Sequence, residues 1–324
     1  LNKNQTDNGK KILYKKARSK YITNNITLRL ADLNNDRKQS YYNTFHCANS
    51  LVQSGKRMVS KYCNNRWCLT CNRIRTAKLI NGYKKPLEDL PAKYFVTLTI
   101  PNCSGETLSK TINGMQSTFN GIRETLKKRE KRKEGTAQRL IGIRKIEVTY
   151  NPKRNDFHPH FHCIISGEYQ AYILLAEWLK RNPSATAQAQ DVKPADDNSI
   201  MELFKYFTKI ATNKVVHVKA LDTIIEAMQG RRVFQPFCIK KDVVEDLKDL
   251  QSQIYEDLES REASWSWIDT DWSDCLTGEM LTGYKPSDKV EKFVDSMVSP
   301  IKKGNPFPGI TLTIEGKVLE QERQ

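Results

Sequence analysis

Residues 141–166 read IGIRKIEVTYNPKRNDFHPHFHCIIS, and this stretch decides the fold. Two runs rich in β-branched and aromatic residues, 141–150 and 160–166, lie on either side of the turn segment NPKRND. The pattern predicts an antiparallel hairpin of two strands. Successive side chains on a strand point to opposite faces, so every second residue of each strand shares one face of the sheet.

A strand and a helix are predicted before the hairpin. Residues 94–100 (YFVTLTI) alternate β-branched and aromatic residues and end at Pro101, which indicates a strand. Residues 107–130 predict a helix, because six apolar side chains recur at helical spacing. These are Leu108, Ile112, Met115, Phe119, Ile122 and Leu126.

Two helices are predicted after the hairpin, with a short strand between them near 187–193. The first covers 169–181 and ends before Pro183. The second covers 198–212 and begins at Asn198 or Ser199 as its N-cap. The whole order favours an α+β domain in which helices pack on one face of an antiparallel sheet.

Three of the five histidines stand close together in His-Pro-His-Phe-His, residues 158–162. On a strand, His160 and His162 share a face while Phe161 points into the core. Two imidazoles on one face can converge on a metal ion. His158 would share that face, but Pro159 is expected to bend the chain there.

Glu147 lies in the preceding strand between Ile146 and Val148. A carboxylate in an otherwise apolar strand is costly unless it is paired or binds a metal. The hairpin can place Glu147 beside His160 and His162. Two imidazoles and one carboxylate would leave open positions for substrate oxygens, as a catalytic metal site requires.

The segment MELFKYFTKIA (201–211) carries a second candidate group. Glu202, Tyr206 and Lys209 stand at i, i+4 and i+7 and share one helical face, with Lys205 close by. A tyrosine beside a carboxylate and an ammonium can act as a nucleophile in phosphoryl transfer. A packing role for this tyrosine is equally compatible with the amphipathic pattern.

The spacing Cys63-x4-Cys68-x2-Cys71 has the form of a structural zinc site. Cys47 and His46 lie upstream, and the sequence leaves open which of them is the fourth ligand. Thiolates are soft ligands that suit Zn²⁺. The basic residues around the cluster, with Lys205, are candidate contacts to DNA phosphates: Arg66, Arg73, Arg75 and Lys78.

Charge is distributed unevenly along the chain of 324 residues, whose formal net charge is +16. Residues 241–299 hold 15 acidic and 6 basic residues, so the surplus of positive charge lies in residues 1–240. Such a surplus favours nucleic acid as the partner, and no apolar run is long enough to cross a membrane. In the acidic part, residues 242–262 predict an amphipathic helix whose apolar seam is Val243, Leu247, Leu250, Ile254 and Leu258. This helix either packs on the body of the protein or forms a short coiled-coil seam in a homodimer. WSWIDTDW (265–272) is expected to form a local core, and NPFPGITLTIEGKV (305–318) a hairpin.

We therefore predict three regions. Residues 1–90 form a basic N-terminal region with the zinc site, residues 91–240 form the catalytic domain, and residues 241–324 form an acidic helical region. The opposite charges of the front and the back of the chain indicate that these regions have different functions.

Taken together, these motifs resemble those of the HUH endonucleases, and more narrowly the single-tyrosine initiator (Rep) proteins of bacterial rolling-circle plasmids. The resemblance rests on FVTLTIPN (95–102), the hairpin ending in His-Pro-His-Phe-His, and ELFKYFTK (202–209), which occur in the same order. It covers roughly residues 45–215. It implies a ferredoxin-like sheet that holds Mg²⁺ or Mn²⁺ and an origin-specific nick in single-stranded DNA.

The resemblance also implies a role for each site residue. His160, His162 and Glu147 match the metal ligands. Tyr206 matches the nucleophile that forms a 5′-phosphotyrosine, and Lys209 matches the lysine of the Tyr-x-x-Lys motif. Position 210 is Ile, so the second tyrosine of the two-tyrosine classes is absent here. Glu202 matches a glutamate that activates water at termination, although a first-turn glutamate is also favoured by the helix dipole alone.

Other functions remain open at this stage. A transposase or a mobilisation relaxase would use the same chemistry, and a non-catalytic zinc-containing DNA-binding regulator would use none of it. For the initiator, the expected partners are origin DNA, a host helicase and a single-strand-binding protein. The expected location is the bacterial cytoplasm, with no membrane partner.

Overall fold

A computed structural model describes residues 8–135, 138–204, 217–242, 252–255, 259–297, 312–314 and 317–319. The helices in these ranges are α1 (Asn8–Ala31), α2 (Lys38–Phe45), α3 (Leu69–Glu88), α4 (Gly105–Lys131), α5 (Glu168–Arg181), α6 (Asp197–Phe204), α7 (Val218–Met228) and α8 (Asp288–Asp295). The strands are β1 (Ser50–Gly55), β2 (Arg57–Ser60), β3 (Lys93–Thr99), β4 (Gly142–Asn151), β5 (Asp156–Ser166), β6 (Asp191–Pro194), β7 (Phe234–Phe237), β8 (Ser252–Ile254), β9 (Arg261–Ile268), β10 (Asp271–Asp274), β11 (Leu312–Ile314) and β12 (Lys317–Leu319).

The backbone forms two compact units. One consists of residues 71–250, and the other combines residues 1–70 with residues 251–324. The division falls inside helix α3. The three regions predicted above follow charge and motifs rather than backbone contacts, and they stay a prediction. Among the described helices, none has both the length and the apolar composition that crossing a membrane requires.

The unit formed by residues 71–250 contains a five-stranded antiparallel sheet in the order β6-β3-β5-β4-β7. From β3 onward, its strands and α-helices follow one another as β3, α4, β4, β5, α5 and β6. The predicted hairpin is confirmed as β4 and β5, in which Glu147 pairs with His160 and Lys145 pairs with His162. We call the face that carries these four side chains the histidine face, and the opposite one the apolar face.

Helices α4 and α5 cover the apolar face. The ring of Phe161 lies 5.6 Å from Phe119 of α4 and 5.7 Å from Trp178 of α5. All six apolar residues that the helical spacing of α4 singled out are at most 1% exposed. This part of the sequence prediction is confirmed, because one apolar stripe of a long helix packs directly on the strands.

The histidine face also carries helices, which differs from the prediction that helices cover one face only. Tyr83 of α3 and Phe204 of α6 both contact Phe234, which lies on this face opposite Lys145. The physical reason is the composition of β4 and β5. Ile143 and Ile164 pair on the histidine face and are fully buried, so this face needs an apolar cover as well.

The second unit contains a five-stranded sheet in the order β10-β9-β1-β2-β8. Strand β9 pairs with β1 and β8 pairs with β2, so segments about 200 residues apart in sequence form one sheet. Trp265 and Trp272 of the β9–β10 hairpin are buried, as the local core predicted for WSWIDTDW requires. A second predicted hairpin is confirmed as β11 and β12.

The prediction of an acidic helical C-terminal region is wrong for most described residues beyond 241. Ile254, which was assigned to the apolar seam of a helix, lies in strand β8, and residues 261–268 form strand β9. Helix α8 is the one helix in the described part of this region. The remaining seam residues lie outside the described residues: Val243, Leu247, Leu250 and Leu258.

Two local expectations are also corrected. Helix α6 begins at Asp197, and Asp196 caps it rather than Asn198 or Ser199, because its side chain accepts a hydrogen bond from the backbone N–H of Ser199 at 2.8 Å. Pro159 does not bend the chain, since β5 continues through it. Phe157, two residues before Pro159, exchanges backbone hydrogen bonds with Cys103 on the side of the sheet where β3 lies. A backbone N–H at position 159 would point to the same side, but β3 ends at Thr99 opposite His160, so a proline is tolerated there.

Two glycine substitutions test this fold. A Cβ atom at Gly142 would lie 2.0 Å from the backbone carbonyl oxygen of Ile164, where β4 meets β5. We expect Gly142→Ala to lower the free energy of unfolding by about 2–3 kcal/mol, measured by denaturant unfolding. The control is Gly114→Ala, because Gly114 lies on the exposed side of α4 and a Cβ atom there would meet nothing within 4 Å. This variant should be more stable by about 0.5–1 kcal/mol, and equal stability of the two variants would contradict the β4–β5 geometry.

Candidate functional site

Three side chains on the histidine face form a compact group of metal-ligand atoms. Nε2 of His160 lies 3.1 Å from Nε2 of His162, and Nε2 of His162 lies 3.8 Å from Oε2 of Glu147. These ligand atoms all lie within 4.8 Å of one another. The cross-strand pairing of Glu147 with His160 brings them together, as the hairpin predicts. The group can hold a metal ion.

The other ring nitrogens fix the orientation of the two imidazoles. Nδ1 of His160 lies 3.2 Å from the carbonyl oxygen of His158, and Nδ1 of His162 lies 3.2 Å from the hydroxyl of Thr97. A carbonyl only accepts, so Nδ1 of His160 carries the proton and its Nε2 presents a lone pair to the group. Phe95 stacks on the ring of His162 at 5.2 Å. Such outer contacts are typical of metal-binding histidines.

His158 shares the histidine face but has different partners. Its Nδ1 lies 2.8 Å from the side-chain oxygen of Asn102, and the side-chain N–H of Asn102 donates to Asp156 at 2.7 Å. Burial lowers the pKa of His158, which favours the neutral ring. The ring stacks on His160 at 5.2 Å, and His158 is not part of the group that can hold a metal.

Lys145 is a member of this site that the sequence analysis missed. Its ammonium donates to Oε2 of Glu147 at 3.0 Å, and its side chain is only 3% exposed. A signal was present, because Lys145 and Glu147 are two residues apart on a strand and therefore share a face. Glu147 stood out because Ile146 and Val148 flank it, and the sequence prediction therefore included the carboxylate but not the lysine.

The tyrosine segment is described only in part. Tyr206, Lys205 and Lys209 lie outside the described residues. Glu202 is half-buried in helix α6, and its backbone carbonyl accepts a hydrogen bond from the ammonium of Lys145 at 3.4 Å. The backbone of α6 therefore lies beside the Glu147–His160–His162 group.

Four cysteines form a second group of metal-ligand atoms: Cys47, Cys63, Cys68 and Cys71. Sγ of Cys68 lies 3.7 Å from Sγ of Cys47, which is too far for a disulfide bond. The backbone N–H of Cys63 donates to Sγ of Cys47 at 3.4 Å, and that of Asn65 donates to Sγ of Cys63 at 3.4 Å. Such donors stabilise thiolates, so the group can hold a metal ion.

The structure shows that Cys47, and not its neighbour His46, belongs to the group of clustered ligands, a choice that the sequence left open. The side-chain nitrogen Nδ1 of His46 lies 2.8 Å from the amide of Asn49, and His46 is not among the clustered ligands. Burial, together with the ammonium of Lys20, lowers the pKa of His46 to about 4. Lys20 is buried and also donates to the carbonyl oxygen of Cys47 at 2.8 Å.

The predicted DNA contacts near the cysteines differ in exposure. Arg73 is exposed on helix α3, whereas Arg66, Arg75 and Lys78 are half-buried. Of the four candidate contacts, Arg73 is therefore the most exposed to solvent.

The family of the chain follows from comparison with known proteins. Residues 55–272 match the Rep_1 family, described as replication protein. A Staphylococcus aureus protein named Protein rep is 27% identical over 187 residues, which are 52% of this chain and 79% of that protein. A Protein rep of Streptococcus pneumoniae serotype 2 is 28% identical over 158 residues, 44% of this chain and 47% of that protein. One from Bacillus sp. is 26% identical over 227 residues, 57% of this chain and 71% of that protein.

No solved structure matches the chain. The sequence match covers well over half of its residues, so the chain belongs to the Rep_1 family of replication proteins, plasmid rolling-circle initiators of the HUH superfamily. This confirms the resemblance that the sequence motifs indicated.

The cysteine group makes a prediction about metal content. We expect Cys68→Ser to lose one metal ion per chain, measured by elemental analysis, and to unfold at lower denaturant concentration, because a metal bound by four thiolates contributes to folding. Cys275→Ser is the matched control, since Cys275 is exposed and outside the group. Full metal content and stability in Cys68→Ser would show that the four thiols hold no ion.

Proposed function

We propose that this chain is a metal-dependent endonuclease and strand transferase that nicks single-stranded origin DNA of a plasmid and so initiates rolling-circle replication. One observation carries the proposal: the ligand atoms of His160, His162 and Glu147 converge beside the helix that leads to Tyr206. Membership of a replication-initiator family supports the proposal and favours it over a transposase or a relaxase.

The ligand set fits a divalent ion such as Mn²⁺ or Mg²⁺. Two imidazole nitrogens and one carboxylate oxygen are ligands that such ions accept, and the three atoms lie within 4.8 Å of one another. Three protein ligands then leave positions for water and phosphate oxygens. When bound, the ion would polarise the scissile phosphate.

Tyr206 is the nucleophile in this proposal. It follows Glu202 by four residues, which span at most about 14 Å, so only a short stretch of chain separates it from helix α6. The phenolic oxygen of Tyr206 forms a bond to phosphorus, and the bond to the 3′ oxygen breaks, which leaves a 5′-phosphotyrosine and a free 3′-OH primer. Lys209 offsets the negative charge that develops on the phosphate. Glu202 serves as the base that activates water at termination.

The architecture supports the same proposal. The strand order β6-β3-β5-β4 is 4-1-3-2 in terms of the β-α-β-β-α-β run, which is the arrangement expected of a ferredoxin-like sheet. In this proposal β7 extends that sheet at one edge. His160 and His162 then lie on its central strand, where pairing on both sides fixes their positions.

The cysteine group is proposed to hold a structural Zn²⁺. Two thiolates on one tetrahedral zinc ion, with Zn–S bonds of about 2.3 Å, lie about 3.8 Å apart, close to the observed 3.7 Å. The basic residues assigned to DNA contacts would bind phosphates of the origin: Arg66, Arg73, Arg75, Lys78 and Lys205. A host helicase, a single-strand-binding protein and a second copy of the chain are proposed partners, and the proposed location is the cytoplasm.

Covalent trapping tests the nucleophile. We expect wild-type protein and a labelled single-stranded origin oligonucleotide to form an adduct that survives denaturing electrophoresis, and Tyr206→Phe to form none, because it lacks the attacking oxygen. Tyr169→Phe is the control, since Tyr169 is exposed on α5. An undiminished adduct yield from Tyr206→Phe would refute the assignment.

Removal of the imidazoles tests the metal group. We expect His160→Ala with His162→Ala to abolish Mn²⁺ binding, measured by calorimetric titration, and to reduce nicking at least about 1000-fold, because several kcal/mol of transition-state stabilisation are lost. His217→Ala is the control, because His217 lies before α7 and outside the group. A non-catalytic DNA-binding regulator would instead keep all measurable function in the double variant.

A further inference from the structure

Lys145 is a buried ammonium on the histidine face. Its side chain is 3% exposed, and in the sheet it stands opposite His162 on one side and Phe234 on the other. Burial of an ammonium costs several kcal/mol unless its donors are satisfied and a negative charge lies close by. A lysine at this position therefore needs partners that a neutral side chain could not supply.

Two of its partners belong to different parts of the site. The ammonium donates to Oε2 of Glu147 at 3.0 Å and to the carbonyl oxygen of Glu202 at 3.4 Å. Glu147 belongs to the metal group on strand β4, whereas Glu202 lies in helix α6. A second link holds the same helix, because the hydroxyl of Thr76 donates to the carbonyl oxygen of Phe204 at 3.4 Å. Of these two donors, only Lys145 also contacts the metal group.

We propose that Lys145 is a positioning residue that ties helix α6 to the Glu147–His160–His162 group and so holds the start of the segment that carries Tyr206 at a set distance from that group. The proposal rests on the function proposed above. In-line attack on phosphorus tolerates little error in position, and a displacement of about 1 Å can cost about 100-fold in rate. Because the ammonium of Lys145 binds both the carboxylate of Glu147 and the backbone of α6, it restricts the movement of α6 relative to the metal group before DNA binds.

Because Lys145 is positively charged, its replacement should affect metal affinity differently from the replacement of a metal ligand. A fixed ammonium beside Glu147 repels a divalent cation, so it weakens rather than strengthens metal binding. Replacement by a neutral side chain of similar length should therefore leave the affinity for the ion unchanged or make it tighter. The rate of nicking should fall in the same variant. A lost ligand would instead lower both.

The experiment compares Lys145→Met with Lys193→Met. Lys193 is a matched control, because it also pairs with a carboxylate two residues away, Asp191 at 3.3 Å, but lies exposed on β6. Three quantities are measured: the single-turnover rate of adduct formation at saturating Mn²⁺, the Mn²⁺ dissociation constant from a titration followed by electron paramagnetic resonance, and hydrogen–deuterium exchange of residues 197–204.

For Lys145→Met we expect a 10- to 100-fold slower adduct formation, an Mn²⁺ affinity that is not weakened, and exchange in residues 197–204 that is faster by about 10-fold or more, as expected when a charge-assisted hydrogen bond is lost. Lys193→Met should match the wild type in all three. Wild-type adduct formation and exchange in Lys145→Met would overturn the proposal. A parallel loss of Mn²⁺ binding and nicking would also overturn it, because the lysine would then act through the metal group.

The outcomes distinguish this proposal from the function on which it rests. If the wild type forms no adduct, the proposed function fails, while the exchange measurement still decides whether Lys145 holds α6. If Lys145→Met does not fold, as far-ultraviolet circular dichroism would show, Lys145→Arg replaces it. That variant keeps the charge but moves the donors, so the same pattern with a smaller loss of rate is expected, and an unchanged rate and exchange overturn the proposal.

Discussion

The pairing of β4 with β5 is the constraint on which the rest of the site depends. It sets Glu147 opposite His160 and Lys145 opposite His162. If β4 shifted by one residue relative to β5, Lys145 and Glu147 would face the opposite side of the sheet from His160 and His162, and the metal-ligand atoms would be separated. The register is held from the apolar face, where Phe161 packs between α4 and α5. The core on one side of the sheet thus fixes the chemistry on the other.

The two faces contribute in different ways. On the apolar face, burial of large side chains stabilises the unit, and even Arg144 is fully buried there with its guanidinium over the rings of Phe119 and Phe161. The histidine face buries groups whose desolvation is costly. That cost is offset because Lys145 and Glu147 pair with each other at 3.0 Å. The buried charges of Lys145 and Glu147 therefore depend on each other, and each side chain helps to fix the position of the other.

The sequence predicted the parts of the structure whose cause is local. The apolar stripe of α4, the β4–β5 hairpin and the convergence of Glu147 with His160 all follow from periodicity within one or two neighbouring elements. The sheet of the other unit could not be predicted, because pairing of β1 with β9 joins residues about 200 apart and leaves no local pattern. Ile254 was misassigned for a related reason: a short apolar spacing fits helix and strand alike, and tertiary pairing decides between them. For Lys145 the spacing from Glu147 gave the shared face, but its contact with the carbonyl oxygen of Glu202 joins elements distant in sequence.

The chemistry of the two ligand groups explains why one chain can carry both. Four thiolates would fill the coordination sphere of a soft ion and leave no position for a substrate. Two imidazoles and one carboxylate suit a harder ion and leave positions open. The cysteines come from a helix end, a loop and the start of α3, whose relative positions an ion can fix. The histidines come from a central strand whose position the sheet fixes already, so an ion that binds and leaves there need not disturb the fold.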